Sequence, residues 1–376
     1  MWTYIVKRLL LMIPTLLGVT VIVYGMISIA PGDPLALSAG EAERGLTKEA
    51  MRGAQMGETY SKDPVEIAKR YWKWLTLLFS WEWKEHEPPP EDAWSLLNDH
   101  VRIYEAVEVH VGKLHLNLFN FQRSLKDRRP VLQTLIKAIS ISIVLNIISL
   151  VITYSVAIPL GIFSAVKRDT LQERVITVLL FILYSLPSFW VAYMLILYVG
   201  QGSGKLELLP IAGLHGEEAD AFLSAGNYWA YAKDFAQHLV LPIICMTLGS
   251  FAYLSRQTRA GMLEVLRQDY ITTARAKGLP ESLVIGKHAL RNSLIPIVTL
   301  MASLLPALIG GSIIIEYIFN IPGMGRLGFT SVLARDYTTL MAINVMASIL
   351  VLLGILMSDI LYTIVDPRVT FEKQVG

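Results

Sequence analysis

From 138 to 166 the chain contains no Lys, Arg, His, Asp or Glu, and from 175 to 200 it again contains none. An α-helix rises 1.5 Å per residue, so about 20 apolar residues cross the roughly 30 Å hydrocarbon core of a bilayer. Both stretches are long enough to do so. No soluble domain needs two such runs in succession, since each would expose an uncharged face to water. Four further segments meet or approach the same length: 9–30, 237–256, 290–315 and 338–365. The chain therefore reads as an all-α polytopic membrane protein of about six transmembrane helices. The composition agrees. Only 17% of the 376 residues are charged, against about 25% in an ordinary soluble domain. The mean hydropathy is +0.49.

The details of the segments carry expectations. Lys7 and Arg8 precede the first apolar run, as in a signal peptide. The run is too long for a typical signal core and lacks a convincing small-x-small cleavage site, so it reads as a retained first helix. Pro14 lies inside it, which membrane helices tolerate. The fourth segment is the shortest and has Pro242 near its start. The fifth contains Pro296 and Pro306 followed by Gly310-Gly311, the pattern of a kinked, closely packed helix.

Basic residues in short loops set orientation. Lys7 and Arg8 flank the first span, and Lys167, Arg168 and Arg174 separate the second from the third. Arg256, Arg259, Arg267, Arg275, Lys277, Lys287 and Arg291 lie between the fourth and fifth. The segment 201–236 has only Lys205 and Lys233, and 316–337 only Arg326 and Arg335. Six crossings put every basic loop on one side, with both termini inside. The domain reading is a first helix over 1–30, a long external segment over 31–130, a core of five helices over 131–366 and a short tail over 367–376. Within the external segment, Val65–Phe79 has the pattern of an amphipathic helix. Its tryptophans, including Trp72, Trp74 and Trp81, suit a small folded cap.

Motifs for chemistry are mostly missing. Gly204-Lys205 and Gly286-Lys287 lack the upstream glycine of a phosphate-binding loop, so ATP chemistry by this chain alone is not expected. His86-Glu87 starts a zinc pattern that is not completed, and no nucleophile elbow occurs. A net charge of +2 does not suit nucleic acid. Cys245 is the sole cysteine, so no internal disulfide and no cysteine metal cluster can form. No catalytic residue, cofactor or metal ligand is expected. Asp359, in the last span, is the clearest intramembrane carboxylate, equally readable as a functional group or as one reaching for the interface.

The informative stretch is the basic loop 257–289. Leu263, Leu266, Tyr270 and Ala274 recur at helical spacing, with Arg267, Asp269, Arg275 and Lys277 on other faces. Gly278-Leu279-Pro280 ends that helix, and a second piece, Glu281–Leu290, leads into the fifth span. Such a helix suits docking into a partner's groove or lying on headgroups, and its physics alone divides evenly between the two.

Tyr270 to Gly278 (YITTARAKG) resembles the cytoplasmic loop of ABC importer permeases, and more closely that of the dipeptide/oligopeptide/nickel permease family, first-permease subtype. The start Tyr4–Pro34, the loop exit KHALRNSLIPIVT, the outer segment Phe319–Tyr337 with Pro322-Gly323-Met324-Gly325, and the tail Asp366-Pro367-Arg368-Val369 resemble the same family. Thr272 and Thr273 stand where the loop consensus has an acid and an alanine. Gly112–Asn117 stands where a G-D-x-G-x-S-like pattern is usual, and the segment 41–130 is longer than usual. The resemblance implies a type I ABC importer permease fold in a bacterial inner membrane. It implies a second homologous permease subunit, two cytoplasmic ATPase subunits and an external solute-binding protein as partners, and peptides as the default cargo. It further implies that Tyr270, Thr273, Ala274, Arg275, Ala276, Lys277 and Gly278 dock the ATPase. The other readings are a non-transporting scaffold or sensor and a secondary carrier, the latter disfavoured by so few intramembrane charges.

Overall fold

The computed structural model describes residues 2–29, 63–83, 94–96, 101–103, 106–111, 114–202, 204–294 and 310–365. Ala30–Pro34, the Pro88–Pro90 break, Pro296 and Pro306 of the fifth span, and the tail from Asp366 lie outside them. Among the described residues, four helices are long and apolar enough to cross a membrane, or five if one bent pair counts as a span. The chain divides into two compact units, 1–140 with 327–353 and 141–326 with 354–376.

In the first unit, α1 (Trp2–Ile29) carries Pro14 within an uninterrupted helix. The amphipathic segment forms α2 (Pro64–Leu78), started by the Asp63 side chain accepting from Val65 N–H at 3.0 Å, with Pro64 in the first turn. α2 meets α1 through Tyr71: its hydroxyl lies 2.9 Å from Thr20 Oγ1, and its ring sits edge-on to Tyr24. Trp74 adds a third ring, while Trp72 and Trp81 are exposed.

The molecule is mostly helical, and the external segment adds a sheet that the helical pattern did not anticipate. Strands β1 (Phe79–Trp83), β2 (Trp94–Leu96), β3 (Val101–Ile103), β4 (Val107–Val111) and β5 (Leu114–Leu118) pair antiparallel in the order β1-β5-β4-β3-β2. Val107-Glu108-Val109-His110-Val111 and Leu114-His115-Leu116-Asn117-Leu118 alternate with period two, the strand signature. His115 to Asn117, unlike the family pattern at this point, therefore lie in a strand register.

α3 (Val131–Val166) covers the second expected span and α13 (Tyr337–Val365) the sixth. Asp336 caps α13. Its carboxylate accepts from Thr339 Oγ1 at 2.7 Å, from Leu125 N–H at 3.1 Å, and from the Ser124 hydroxyl.

In the second unit the expected third span is not one straight helix. α4 (Leu171–Ser185) and α5 (Ser188–Val199) are bent by 94°. The break falls at Leu186-Pro187, because proline forces its predecessor out of helical geometry. α6 (Ala219–Ser224) is short. The fourth segment, expected to be shortest, belongs to the longest helix: α7 (Tyr228–Val265) extends the apolar run at both ends with polar residues. The core here gathers Leu145, Val191, Ala192, Leu241, Ile315 and Phe319, with Leu239, Ile243 and Cys245 buried among them. α11 (Ile313–Ile318) and α12 (Met324–Leu333) follow the undescribed stretch.

Candidate functional site

The basic loop leaves α7 at Val265. The periodicity from Leu263 to Ala274 suggested one helix, but the chain breaks at Leu266–Gln268: Leu263 closes α7, and a separate helix α8 spans Asp269–Ala276. Its dipole start carries Asp269 and its last turn carries Arg275, the favourable order of charge. Ile271 and Ala274 face inward. They pack with Met262, Ala165, Val284 and Ala289 into a small core at the base of α7. Ile271, Met262, Val284 and Ala289 are fully buried and Ala274 is 7% exposed.

The stop at Gly278 is a complete Schellman motif. Gly278 adopts φ +75°. Gly278 N–H donates to Arg275 O at 2.9 Å and Leu279 N–H to Ala274 O at 3.4 Å. Leu279 packs against the same core as Ala274, the apolar contact that accompanies this motif. A Cβ at Gly278 would meet nothing within 4 Å, so glycine serves conformation here and not space.

Beyond Pro280 the second piece is not a regular helix. α9 (Glu281–Leu283) passes into a π-helical turn, Val284–Ala289, and then α10 (Leu290–Ser293). Three contacts hold it to α8 and α7. Arg275 and Glu281 form a two-pronged ion pair, Nη2 to Oε1 at 2.6 Å and Nε to Oε2 at 3.2 Å. Asn292 Nδ2 donates to the Tyr270 hydroxyl at 2.8 Å, and the Ser293 hydroxyl points at Met262 Sδ. The Arg275 hydrogen bonds hold the Glu281 carboxyl below its usual range, and Glu281 in turn raises Arg275.

Of the seven expected docking residues, Tyr270, Thr273, Arg275, Ala276, Lys277 and Gly278 are exposed together on α8 and its cap. Ala274 is not on that surface: it faces the chain's own core, among Met262 of α7 and Val284 and Ala289 of the π-helical turn. Ile271, Glu281 and Asn292 were missed. Ile271 lies three residues before Ala274, a signal hidden by giving the apolar face to Tyr270. The Arg275–Glu281 pair spans a turn that no helical spacing rule covers.

A second built feature lies in the 311–326 segment. Glu316, 1% exposed, accepts from the Ser142 hydroxyl at 2.9 Å, from Ser312 N–H at 3.1 Å and from Arg326 N–H at 2.9 Å. The Ser142 oxygen accepts from Met324 N–H at 2.8 Å. Gly311 and Gly323 press against this carboxylate, and Gly325 against the backbone of Ile313, so that a Cβ at any of them would collide. Asp359 is partly buried in α13, whereas Glu316, like Asp336 at the start of α13, is enclosed.

Residues 157–371 match the family described as binding-protein-dependent transport system inner membrane component. The chain is 32% identical over 372 residues to the oligopeptide transport system permease protein AppB of Bacillus subtilis (strain 168), covering 99% of this chain and 100% of that protein. It is 31% identical over 387 residues to the dipeptide transport system permease protein DppB of Escherichia coli (strain K12), with 99% and 100% covered. It is also 31% identical over 392 residues to the peptidoglycan transport system permease protein YejB of Agrobacterium fabrum, with 100% of both covered. Among solved structures, an inward-facing MetNI methionine ABC transporter is similar with a TM-score of 0.48 at 18% identity, covering 62% of this chain and 98% of that chain. Matched by the family over more than half its length and by permeases from end to end, this multi-pass membrane chain belongs to the family of binding-protein-dependent transport system inner membrane components.

Proposed function

We propose that this permease subunit forms half of a peptide pathway in a bacterial inner membrane and that the exposed face of α8 is where an ATPase subunit docks. The observation that carries the docking reading is the two-sidedness of α8. Tyr270, Thr273, Arg275, Ala276 and Lys277 are exposed, while Ile271 and Ala274 tie the helix to the end of α7. A helix held this way passes a push from outside directly into a 38-residue helix with little lost in local bending. ATP-driven closure of two ATPases would move α8 as a rigid element, and the spans would rock between outward and inward openings. The chain supplies no chemical step, so the drive must come from docking that differs in strength between the two states.

The remaining parts follow from the same reading. Both termini lie inside, the segment 31–130 lies outside where a solute-binding protein delivers cargo, and a second homologous permease completes the pathway. Peptides are the proposed cargo because the relatives' names are those of oligopeptide, dipeptide and peptidoglycan permeases. The test places a single cysteine at Ala276 in a Cys245→Ser background, after that background is shown to transport, with a crosslinker of short reach. The expected result is a crosslink to the ATPase subunit that changes with ATP, together with ATP-dependent uptake from a panel of radiolabelled short peptides. Uptake that survives ATP depletion but not a protonophore would overturn the importer reading, and ATPase retention without any uptake would leave a scaffold.

A further inference from the structure

Between α3, α4 and α7 lies a cavity of about 100 Å³ that the transport reading does not use. Two guanidinium groups line it, Arg256 and Arg259, together with Ser164, Thr177 and Ser255. One carboxylate answers them. Glu173, in the first turn of α4 and 6% exposed, accepts from Arg259 Nη2 at 3.0 Å and from the Thr177 hydroxyl at 2.9 Å. Arg256, an exposed residue, donates its Nε to Ala252 O at 3.2 Å and lies over the Tyr184 ring at 5.1 Å, and it forms no ion pair among the described residues. Arg259 Nε is buried with no hydrogen-bond partner among the described residues. The cavity thus carries one positive charge in excess and a buried charged donor, an arrangement that costs free energy unless an acceptor meets it.

The acceptor's chemistry follows from the donors. Guanidinium groups and hydroxyls around a small space suit a phosphate, whose several oxygens accept from planar N–H pairs. The far wall is apolar, formed by Leu180 and Phe181. Phe181 is 63% exposed and continues into the exposed aliphatic flank of α4 at Val178 and Ile182. A ligand with a phosphate at one end and a hydrocarbon chain at the other fits both walls. The cavity is lined by Thr177, Leu180 and Phe181 in the second and third turns of α4 and by Ser164, three residues before the basic Lys167–Arg168 turn, a depth that a phosphate drawn in from the inner leaflet's headgroup region can reach.

We propose that this cavity binds the phosphate of an anionic phospholipid from the inner leaflet. Its place gives it a consequence. Arg259 lies three residues before Met262, which packs with Ile271 and Ala274 of α8, and Gly161 of α3 closely abuts Thr258 and the Ser255 carbonyl just before Arg259. A bound headgroup braces α7 against α3 and α4 where α8 would push on it. The inference rests on the membrane reading and on the sidedness of α4, not on the cargo. Normal peptide uptake without lipid retention therefore sinks this proposal alone.

The importer complex, purified in detergent from native membranes and analysed by native mass spectrometry, is expected to retain phosphatidylglycerol. Retention falls several-fold in Arg256→Gln. It rises in Glu173→Gln, which releases Arg259 from its partner while keeping an amide to hold Thr177. A rise is an effect that damaged packing does not produce. Equal retention in wild type and both variants would overturn the site. Thermal stabilisation by inorganic phosphate alone, lost in Arg256→Gln and unaccompanied by lipid retention, would overturn the lipid source. Loss of a permease partner instead of lipid in Arg256→Gln would overturn the proposal in favour of a subunit contact.

Discussion

The reversal at Gly278 and the one closed around Glu316 both depend on glycine, but for different physical reasons. At Gly278 the backbone needs a positive φ, the space around it is open, and the neighbouring polar side chains, Arg275 and Lys277, are exposed. Around Glu316 room is the main demand: Gly323 presses on a carboxylate that is out of contact with solvent and fully engaged, and Gly311 does so from a positive φ of +63°. The first arrangement leaves a face for another molecule. The second satisfies itself, two backbone N–H groups and one hydroxyl converging on one side chain. Exposure of polar groups separates the proposed docking loop from a structural clasp more clearly than composition does, since both segments carry glycines at their reversals.

The same substitution at the two sites gives the sharpest contrast. Gly323→Ala drives a methyl into the Glu316 carboxylate and the Ser142 hydroxyl. To fit, the carboxylate must move and abandon buried donors, a cost of about 3–5 kcal/mol when overpacking and lost charged hydrogen bonds combine. The expected outcome is a large drop in thermal stability of the purified chain, followed by fluorescence-detected gel filtration. If Gly323→Ala melts like wild type, the clasp is not the tight enclosure described.

Part of this was legible in the sequence and part was not. Apolar runs located the spans at 9–30, 138–166 and 338–365, the last with Asp359 as its one charge, because lipid demands an apolar surface. The same pattern could not show the 94° bend before Ser188, since hydropathy is blind to direction and only Pro187 hinted at it. The strands β4 and β5 alternate with period two, yet each run is only five residues long, and the external segment reads from sequence as a small folded cap with one amphipathic helix at Val65–Phe79. In the loop, Gly278-Leu279-Pro280 announced the stop. Which face of α8 turns inward was misassigned, because Tyr270 and Ile271 are adjacent and both apolar enough to be core. Glu316 escaped notice because its partners are the Ser142 hydroxyl and the backbone amides of Ser312 and Arg326, and a search for charged side-chain pairs scores none of these.

Within the loop the effects shrink with exposure. Ala274→Glu places a carboxylate against Ile271, Met262 and Val284, where no partner waits. An unpaired buried charge costs several kcal/mol, so α8 should lift off its core and relieve about 2–4 kcal/mol of that penalty by reaching water. The expected outcome is loss of uptake with normal membrane insertion, measured by transport and by the amount of protein in the membrane fraction. Wild-type uptake with Ala274→Glu would show that seating on α7 is irrelevant to coupling. Gly278→Ala is milder than Gly323→Ala by design. It forces an L-residue into left-handed geometry for about 1–2 kcal/mol, with no clash to add. A several-fold loss of uptake with little change in thermal stability is the expected reading. An effect on stability as large as that of Gly323→Ala would erase the distinction between the two glycines.

The smallest effect belongs to the Arg275–Glu281 pair, whose side chains are 44% and 53% exposed. Solvent screens such a pair, and Glu281→Gln should cost at most about 0.5 kcal/mol. The pH dependence has a definite sign. The folded state holds the Glu281 carboxyl below its ordinary value, first through the Arg275 hydrogen bonds. Its contribution is therefore complete above the ordinary carboxylate range and fades as pH falls through the depressed value. Wild type and Glu281→Gln should keep a constant small gap in stability across neutral pH, and the gap should close only in acid. A gap that opens near neutral pH would mean that another group, and not this carboxylate, closes the turn beside Gly278.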